Sequence, residues 1–147
     1  MGNDTVTVRV KRLSPDAVLP RKAKEGDVAF DLFSAVDCEL QPGMRKPIST
    51  GLAMEIPKGF EGQVRPRSGL AMREGITTLN TPGTIDSGYR GEVKVILINH
   101  GEKSFKVEKG MRIAQLAVRS VPKVEFVASD TLEDTERGED GFGSTGL

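Results

Sequence analysis

The sequence predicts an all-β fold, an antiparallel sandwich or barrel with one short helix, and two observations support this. Apolar and polar residues alternate at 6–10 and again at 93–98, as they do in strands that bury one face. These runs are short, and Gly- and Pro-containing turns separate them at close intervals. The turns fall at 41–43, 56–59, 81–83, 99–101 and 109–110. Such spacing is typical of antiparallel β folds, among which we favour a distorted jelly roll.

The length of the chain allows one core domain and an arm. A chain of 147 residues can bury one continuous core, which we place at residues 1–128. From residue 129 the composition turns polar and acidic. This change predicts a C-terminal arm at residues 129–147 that leaves the core.

Only residues 68–73 favour a helix, of one or two turns, after a predicted strand at 60–65. Ser68 is placed to cap it. With the neighbouring cation of Arg67 and with Gly69, the free amides of the first helical turn make this segment a candidate anion site. The alternative is a capped turn with a surface arginine.

Charge and rare residue types argue against several classes of function. Lys and Arg together number 21, as do Asp and Glu, which disfavours a protein that holds nucleic acid mainly through its phosphates. No apolar run approaches a membrane span, and residues 1–4 do not begin a signal peptide, so we expect a cytoplasmic protein with no membrane partner. The single cysteine, Cys38, is expected to be a buried small hydrophobe, and the single histidine, His100, a hairpin-loop residue. Acid–base chemistry would then fall to carboxylates.

Residues 80–92 combine turn residues with three side chains that a plain hairpin does not need. Two strands folding back around residues 83–91 would grip a flat base by main-chain groups, with Asn80 at one edge. Asp86 would lie near the mouth, with the ring of Tyr89 beside it. The alternative is a hairpin without a ligand.

Residues 137–146 have the composition of a lid that closes over phosphates. They contain four glycines, too many for a helix or a central strand, so the segment is predicted to be mobile until a ligand orders it. Arg137 offers a bidentate cation, Ser144 and Thr145 offer hydroxyl donors, and Phe142 could stack on a base. The alternative is a solvated tail.

These three segments and two others resemble the trimeric dUTP diphosphatases, known as dUTPases. The other two are Ala29-Phe30-Asp31-Leu32 and residues 109–116, and all five follow the family's order across residues 6–146. The resemblance implies a jelly-roll subunit in a homotrimer, with an exchanged C-terminal arm and three sites at subunit interfaces. It also implies hydrolysis of dUTP to dUMP and pyrophosphate, which supplies dUMP for thymidylate synthesis and keeps uracil out of DNA.

The resemblance assigns roles to individual residues. Asp86 matches the general base, which activates a water for in-line attack on the α-phosphorus, assisted by Mg²⁺ on the triphosphate. Asp31 would lie near this Mg²⁺ through a water, the alternative being a charged residue at a strand end. The matched phosphate positions are Arg67, Ser68, Gly69 and Gln115, the base and sugar positions are Asn80, Gly83 and Tyr89, and the arm positions are Arg137, Phe142, Gly143, Ser144 and Thr145.

Selectivity then has a physical interpretation. A ring at Tyr89 packed on C2′ of the sugar would exclude a ribose hydroxyl, and a narrow hairpin would exclude the 5-methyl group of thymine. Because an amide such as that of Asn80 can serve either uracil or cytosine, fixed backbone groups would have to separate these two bases.

Three positions depart from the family pattern. Gly88 stands where relatives often carry a second acid, Phe30 replaces a common tyrosine, and Asp140 adds negative charge where the lid often has glycine.

Two alternative functions remain. A dCTP deaminase would share the fold and assembly but is expected to lack the Phe142 lid. A trimer used only for binding or regulation is the other alternative.

Overall fold

The computed structural model describes residues 4–146, which form ten strands and one helix. The first three residues of the predicted core domain and the last residue of the predicted arm lie outside the described residues. In chain order the elements are β1 Arg9–Arg12, β2 Phe30–Phe33, β3 Cys38–Leu40, β4 Arg45–Glu55, β5 Phe60–Arg65, α1 Ser68–Glu74, β6 Ile76–Thr78, β7 Gly83–Ile85, β8 Glu92–Asn99, β9 Phe105–Val107 and β10 Arg112–Ser120.

The strands form two four-stranded sheets and a two-stranded sheet. The strand orders are β1-β4-β8-β6, β2-β10-β5-β7 and β3-β9, and every pair within them is antiparallel. The predicted all-β fold with one short helix is confirmed. Because no two consecutive strands of the described residues pair with each other, the chain passes repeatedly from one sheet to another.

The core receives side chains from all three sheets. Leu32 of β2, Leu40 of β3 and Leu97 of β8 are fully buried in one apolar cluster, together with Leu52 of β4 and Ile113 of β10. Burial of each such side chain contributes roughly 1.5–3 kcal/mol to folding. The core therefore fixes the sheets that carry the candidate site.

A bulge in β4 interrupts its pairing with β8 in the first sheet. The pairing of β4 with β8 shifts between Ser49 and Ala53, and Gly51 within this bulge has φ +69°. A Cβ at Gly51 would lie 2.9 Å from the Ala17 Cβ, so both conformation and space require glycine there. The Glu92 carboxylate accepts hydrogen bonds from Ser49 Oγ (2.6 Å) and the Gly51 amide (2.9 Å), which fixes the start of β8.

The single helix begins one residue away from the predicted cap. Arg67 occupies the N-cap position without a side-chain capping bond, and the Ala71 amide donates to its carbonyl oxygen at 3.0 Å. The prediction that Ser68 caps the helix is therefore wrong, because Ser68 is already the first helical residue. At the other end, Gly75 adopts φ +69° and a Cβ there would lie 2.7 Å from the Gly101 amide nitrogen.

The loop that contains His100 differs from the predicted hairpin. β8 pairs in the first four-stranded sheet and β9 pairs with β3, so this loop crosses between sheets. The buried side chain of Asn99 donates to the carbonyl oxygens of Leu40 and Lys103, both at 2.8 Å, and accepts from the Gly101 amide at 2.8 Å. These bonds hold the loop against the end of β3, and the His100 amide, which donates to the Gly75 carbonyl oxygen at 2.8 Å, holds it against the end of α1.

Two smaller expectations also need correction. The alternation at residues 6–10 predicts a strand, but β1 begins at Arg9 because β4 offers register partners from Arg9 to Arg12. Cys38 is partly buried against the core and is not fully enclosed.

Beyond β10 the chain runs as an extended arm. Residues 121–146 contain no helix or strand, and Phe126 is 96% exposed. The hydrogen bonds described for residues 129–146 join positions at most three apart. In the described part of the chain, no helix is long and apolar enough to span a membrane.

Candidate active site

A cavity of about 360 Å³ opens where β7 approaches the beginning of β8. Its lining includes the four residues that the sequence predicts for the base, the sugar and general-base catalysis, which are Asn80, Gly83, Asp86 and Tyr89. The structure therefore places these four predicted site residues around one space.

The cavity lies between two sheets. β7 pairs with β5 in one sheet, whereas β8 pairs with β4 and β6 in the other. The predicted hairpin across residues 83–91 is therefore wrong, because the chain passes from the edge strand of one sheet to an interior strand of the other instead of folding back on itself. The crossing leaves an opening between the sheets.

Gly83 gives Asn80 its place on the wall. It pairs with Val64 across β7 and β5, and a Cβ there would lie 3.3 Å from both the Asn80 Nδ2 and the Val64 Cβ. A side chain would press on the amide group or on the strand beneath. The small residue keeps the Asn80 amide at the cavity.

The turn after β7 fixes Asp86 and Tyr89 relative to each other. The Tyr89 amide donates to the Asp86 carbonyl oxygen at 3.1 Å, and the Tyr89 hydroxyl donates to the Glu92 carbonyl oxygen at 2.8 Å. Arg90 Nη1 donates to the Ser87 carbonyl oxygen at 2.7 Å. The turn presents the exposed Asp86 carboxylate at the cavity, next to a tethered aromatic ring.

The carboxylates of Asp86 and Glu92 line the cavity, and only that of Glu92 accepts hydrogen bonds that stabilise the fold. The Glu92 carboxylate accepts from Ser49 and Gly51 in the β4 bulge. The Asp86 side chain instead lies exposed. The sequence interpretation missed Glu92 and Lys94 as lining residues, although their alternation at the start of β8 could have indicated them.

Asp31 and Gln115 lie at a second cavity, of about 340 Å³, which Arg65 also lines. Gln115 pairs with Asp31 on one side and with Arg65 on the other. Asp31 is 7% exposed, and Arg112 Nη1 lies 3.8 Å from its Oδ2 atom. At that distance and with the arginine half exposed, this ion pair contributes little stability.

Arg67 lies at a third cavity, of about 600 Å³, with Arg73, Lys109 and Arg112. Its Nη1 atom donates to the Arg112 carbonyl oxygen at 3.3 Å. The same cavity also contains Glu74 and Glu108, so cations outnumber acids by four to two. Gly69 adds to the cluster because a Cβ there would lie 2.9 Å from the Arg73 Nη2, so glycine makes room for that guanidinium.

The arm residues are not brought to any of these cavities. Phe142 is fully exposed, and Arg137 Nε donates to the nearby Asp140 carbonyl oxygen at 2.9 Å. Ser144 and Thr145 are exposed as well. In a single chain, the predicted site residues are thus distributed over three separate cavities and an exposed arm.

Comparison with known proteins gives concordant results for most of the chain. The dUTPase family model matches residues 16–146. The deoxyuridine 5'-triphosphate nucleotidohydrolase of Clostridium tetani is 52% identical over 140 residues, which cover 95% of this chain and 97% of that protein. The corresponding protein of Alkaliphilus metalliredigens is 53% identical over 140 residues, which cover 95% of this chain and 97% of that protein.

Solved structures give the same result for the fold. The Staphylococcus bacteriophage 80alpha dUTPase with dUPNHPP is similar at a TM-score of 0.90 and 30% identity, over 97% of this chain and all of that one. This likeness confirms the jelly-roll architecture predicted from the sequence.

Proposed function

The chain belongs to the dUTPase family and is a dUTP diphosphatase, and from this premise we propose that Asp86 is its general base. Asp86 takes a proton from a water whose oxygen attacks the α-phosphorus of dUTP. The bond from that phosphorus to the bridging oxygen breaks, and its electron pair leaves with pyrophosphate, giving dUMP. In-line displacement of this kind depends mainly on positioning and charge neutralisation.

The observation that carries this proposal is the contrast between the two carboxylates of the cavity. Glu92 is engaged by a hydroxyl and an amide of the β4 bulge, whereas Asp86 lies exposed beside the predicted nucleoside pocket. His100 and Cys38 are absent from the lining of this cavity. Asp86 is thus the lining group best suited to accept the proton.

We infer that the pocket recognises deoxyuridine through three elements. Asn80 and the backbone near Gly83 meet the base, and the ring of Tyr89 packs against C2′ of the sugar. Support comes from their shared cavity and from the hydrogen bond that tethers the Tyr89 hydroxyl. A hydroxyl at C2′ would collide with a ring held in this way.

The phosphate-binding groups are proposed to come together in a homotrimer. Arg67, with Ser68 and Gly69 beside it, and Gln115 lie at cavities other than that of Asp86, so neighbouring subunits would complete each site. The exposed arm supports exchange between subunits, because it leaves Val124, Phe126 and Val127 in water. Burial of such residues against another copy would stabilise the assembly.

The arm is proposed to close over the bound nucleotide. Phe142 stacks on the base, while Arg137, the amide of Gly143 and the hydroxyls of Ser144 and Thr145 hold the phosphates. All of these residues are exposed, and apart from Arg137 Nε, which donates to the Asp140 carbonyl oxygen, their groups are available for a ligand.

The residues present fit a magnesium ion that arrives with the substrate. In the described residues, no three His, Cys, Asp or Glu side chains are grouped to hold a metal, so a dedicated protein cage is not formed there. Mg²⁺ commonly keeps several waters and binds through one or two carboxylates and substrate phosphates. We propose that Asp31 contacts it through a water; when bound, the ion neutralises charge on the triphosphate.

We propose a cytoplasmic role in which the enzyme supplies dUMP for thymidylate synthesis and keeps uracil out of DNA. The test is pyrophosphate release from dUTP, dCTP, dTTP and UTP at equal concentrations, with Mg²⁺. We expect release from dUTP alone to be efficient, and no ammonia from dCTP. Ammonia release would indicate a deaminase, and nucleotide binding without turnover would indicate a binding or regulatory protein.

A further inference from the structure

The ring of Tyr89 is held by its own loop. Its hydroxyl donates to the Glu92 carbonyl oxygen at 2.8 Å, three positions further along the chain. The side chain therefore folds forward over the intervening backbone. Tyr89 is nevertheless 46% exposed. Because little packing surrounds the ring, this hydrogen bond is a principal restraint on its position.

Gly91 provides the surface on which the ring rests. A Cβ at Gly91 would lie 2.5 Å from the Tyr89 hydroxyl oxygen, 2.7 Å from Cζ and 2.9 Å from Cε1. Contacts below 3.0 Å are essentially never made by a real Cβ, so any side chain at this position would displace the ring.

The need for glycine at position 91 comes from the ring and not from the backbone. Gly91 is absent from the glycines with positive φ, so alanine could adopt its backbone conformation. Gly88, in the same loop, also lacks a positive φ, and a Cβ there would have nothing within 4 Å. A Cβ at position 91 would thus meet the Tyr89 ring, whereas a Cβ at position 88 would meet open space.

The Glu92 carbonyl group, which accepts the hydrogen bond from the Tyr89 hydroxyl, is itself fixed in position. The side chain of Glu92 is bound by Ser49 Oγ and the Gly51 amide, and residue 92 pairs with Ala53 across β4 and β8. The acceptor for the tyrosine is thus anchored to the central sheet.

We propose that Gly91 is a specificity-determining residue for the sugar, because it lets the hydroxyl end of the Tyr89 ring lie against the loop, where the hydroxyl bonds to the Glu92 carbonyl oxygen. The proposal rests on the function assigned above to Tyr89. An added methyl group lifts the ring, breaks its tether and opens the space beside C2′. Ribonucleotides then enter a pocket that otherwise rejects them.

The test compares Gly91→Ala with Gly88→Ala in the full-length protein, using kcat/KM for dUTP and UTP. We expect Gly91→Ala to raise the UTP to dUTP ratio roughly tenfold, and Gly88→Ala to leave it within about twofold of the parent. An unchanged ratio in folded Gly91→Ala overturns the proposal. If that variant does not fold, Tyr89→Phe removes only the tether, and an unchanged ratio there overturns it.

A second measurement needs no substrate. The chain has one tyrosine and no tryptophan, so tyrosine emission reports on Tyr89 alone. We expect acrylamide to quench this emission more strongly in Gly91→Ala than in the parent or in Gly88→Ala, and equal quenching overturns the positioning role.

The two measurements separate this proposal from the function assigned to Tyr89. If quenching increases and Tyr89→Ala leaves the nucleotide ratio unchanged, the sugar contact of Tyr89 itself is wrong. If Tyr89→Ala raises the ratio but Gly91→Ala does not, Tyr89 keeps its role and Gly91 loses the one proposed here.

Discussion

Asp31 and Gln115 are cross-strand partners on β2 and β10, so two predicted site residues from distant parts of the chain line one cavity. The carboxylate is 7% exposed and its ion-pair contact is a distant guanidinium at 3.8 Å. Such a carboxylate is well placed to meet a cation brought in by a substrate.

Asp31→Asn should therefore raise the Mg²⁺ concentration needed for half-maximal turnover without unfolding the protein. Loss of an outer contact to a metal commonly costs 10- to 100-fold in metal affinity or activity. The measurement is dUTP turnover as a function of Mg²⁺ concentration, with Asp130→Asn on the exposed arm as the control. An unchanged half-saturating Mg²⁺ concentration would show that Asp31 serves the fold alone.

Asp86→Asn should keep nucleotide binding and lose turnover, because it preserves the shape of the side chain and removes the proton acceptor. Loss of a general base commonly lowers kcat by about 10²–10⁴-fold. Glu55→Gln is a matched control, since Glu55 is a nearby carboxylate that pairs with Arg9 and Arg90. A kcat within about threefold of the parent for Asp86→Asn contradicts the assignment.

Tyr89→Ala should lower kcat/KM for dUTP and raise the activity on UTP relative to dUTP. The reason is that the tethered ring is proposed to occupy the space that a 2′-hydroxyl would need. Both nucleotides should be measured with the parent and the variant. A constant ratio would mean that another group rejects ribose.

Glu92→Ala should destabilise the protein more than it changes the chemistry of the site. It leaves the Ser49 hydroxyl and the Gly51 amide without their carboxylate partner, and loss of one partner for a buried donor costs roughly 1–3 kcal/mol. Urea unfolding at a fixed protein concentration measures this loss, with Glu102→Ala on an exposed loop as the control. Equal midpoints for the two variants would contradict the anchoring role of Glu92.

Local signals in the sequence were sufficient to predict several strands and the residues that line the candidate nucleoside pocket. The predicted strand at residues 60–65 coincides with β5, and the alternating run at 93–98 lies within β8. Asn80, Asp86 and Tyr89 were expected to converge and do so. They converge because their separation along the chain is short and one turn governs it.

The two wrong hairpin predictions share one cause. The segments around Gly83 and His100 were both predicted as hairpins, yet each joins strands of different sheets. Turn residues specify that the chain bends, whereas the partner of each strand depends on contacts far away in sequence. The Gly51 bulge and its Glu92 anchor are equally non-local. Similarly, the grouping of Arg67 and the arm with Asp86 that we propose would depend on contacts between subunits of the proposed homotrimer.

The arm is expected to close only over a bound nucleotide, with Phe142 supplying much of the stabilisation. Its ring is fully exposed in the free chain, and stacking of an aromatic side chain on a base contributes about 1–3 kcal/mol, so Phe142→Ala should lower kcat/KM by roughly 5- to 150-fold. Deletion of residues 137–147 should be more harmful because Arg137 and the amides near Gly143 are lost as well. Neither change should alter the thermal stability of the free protein appreciably, since this segment buries little apolar surface. Hydrogen exchange of residues 137–146 with and without a non-hydrolysable dUTP analogue and Mg²⁺ tests closure directly, and equal protection in both states would show that the arm is not a lid.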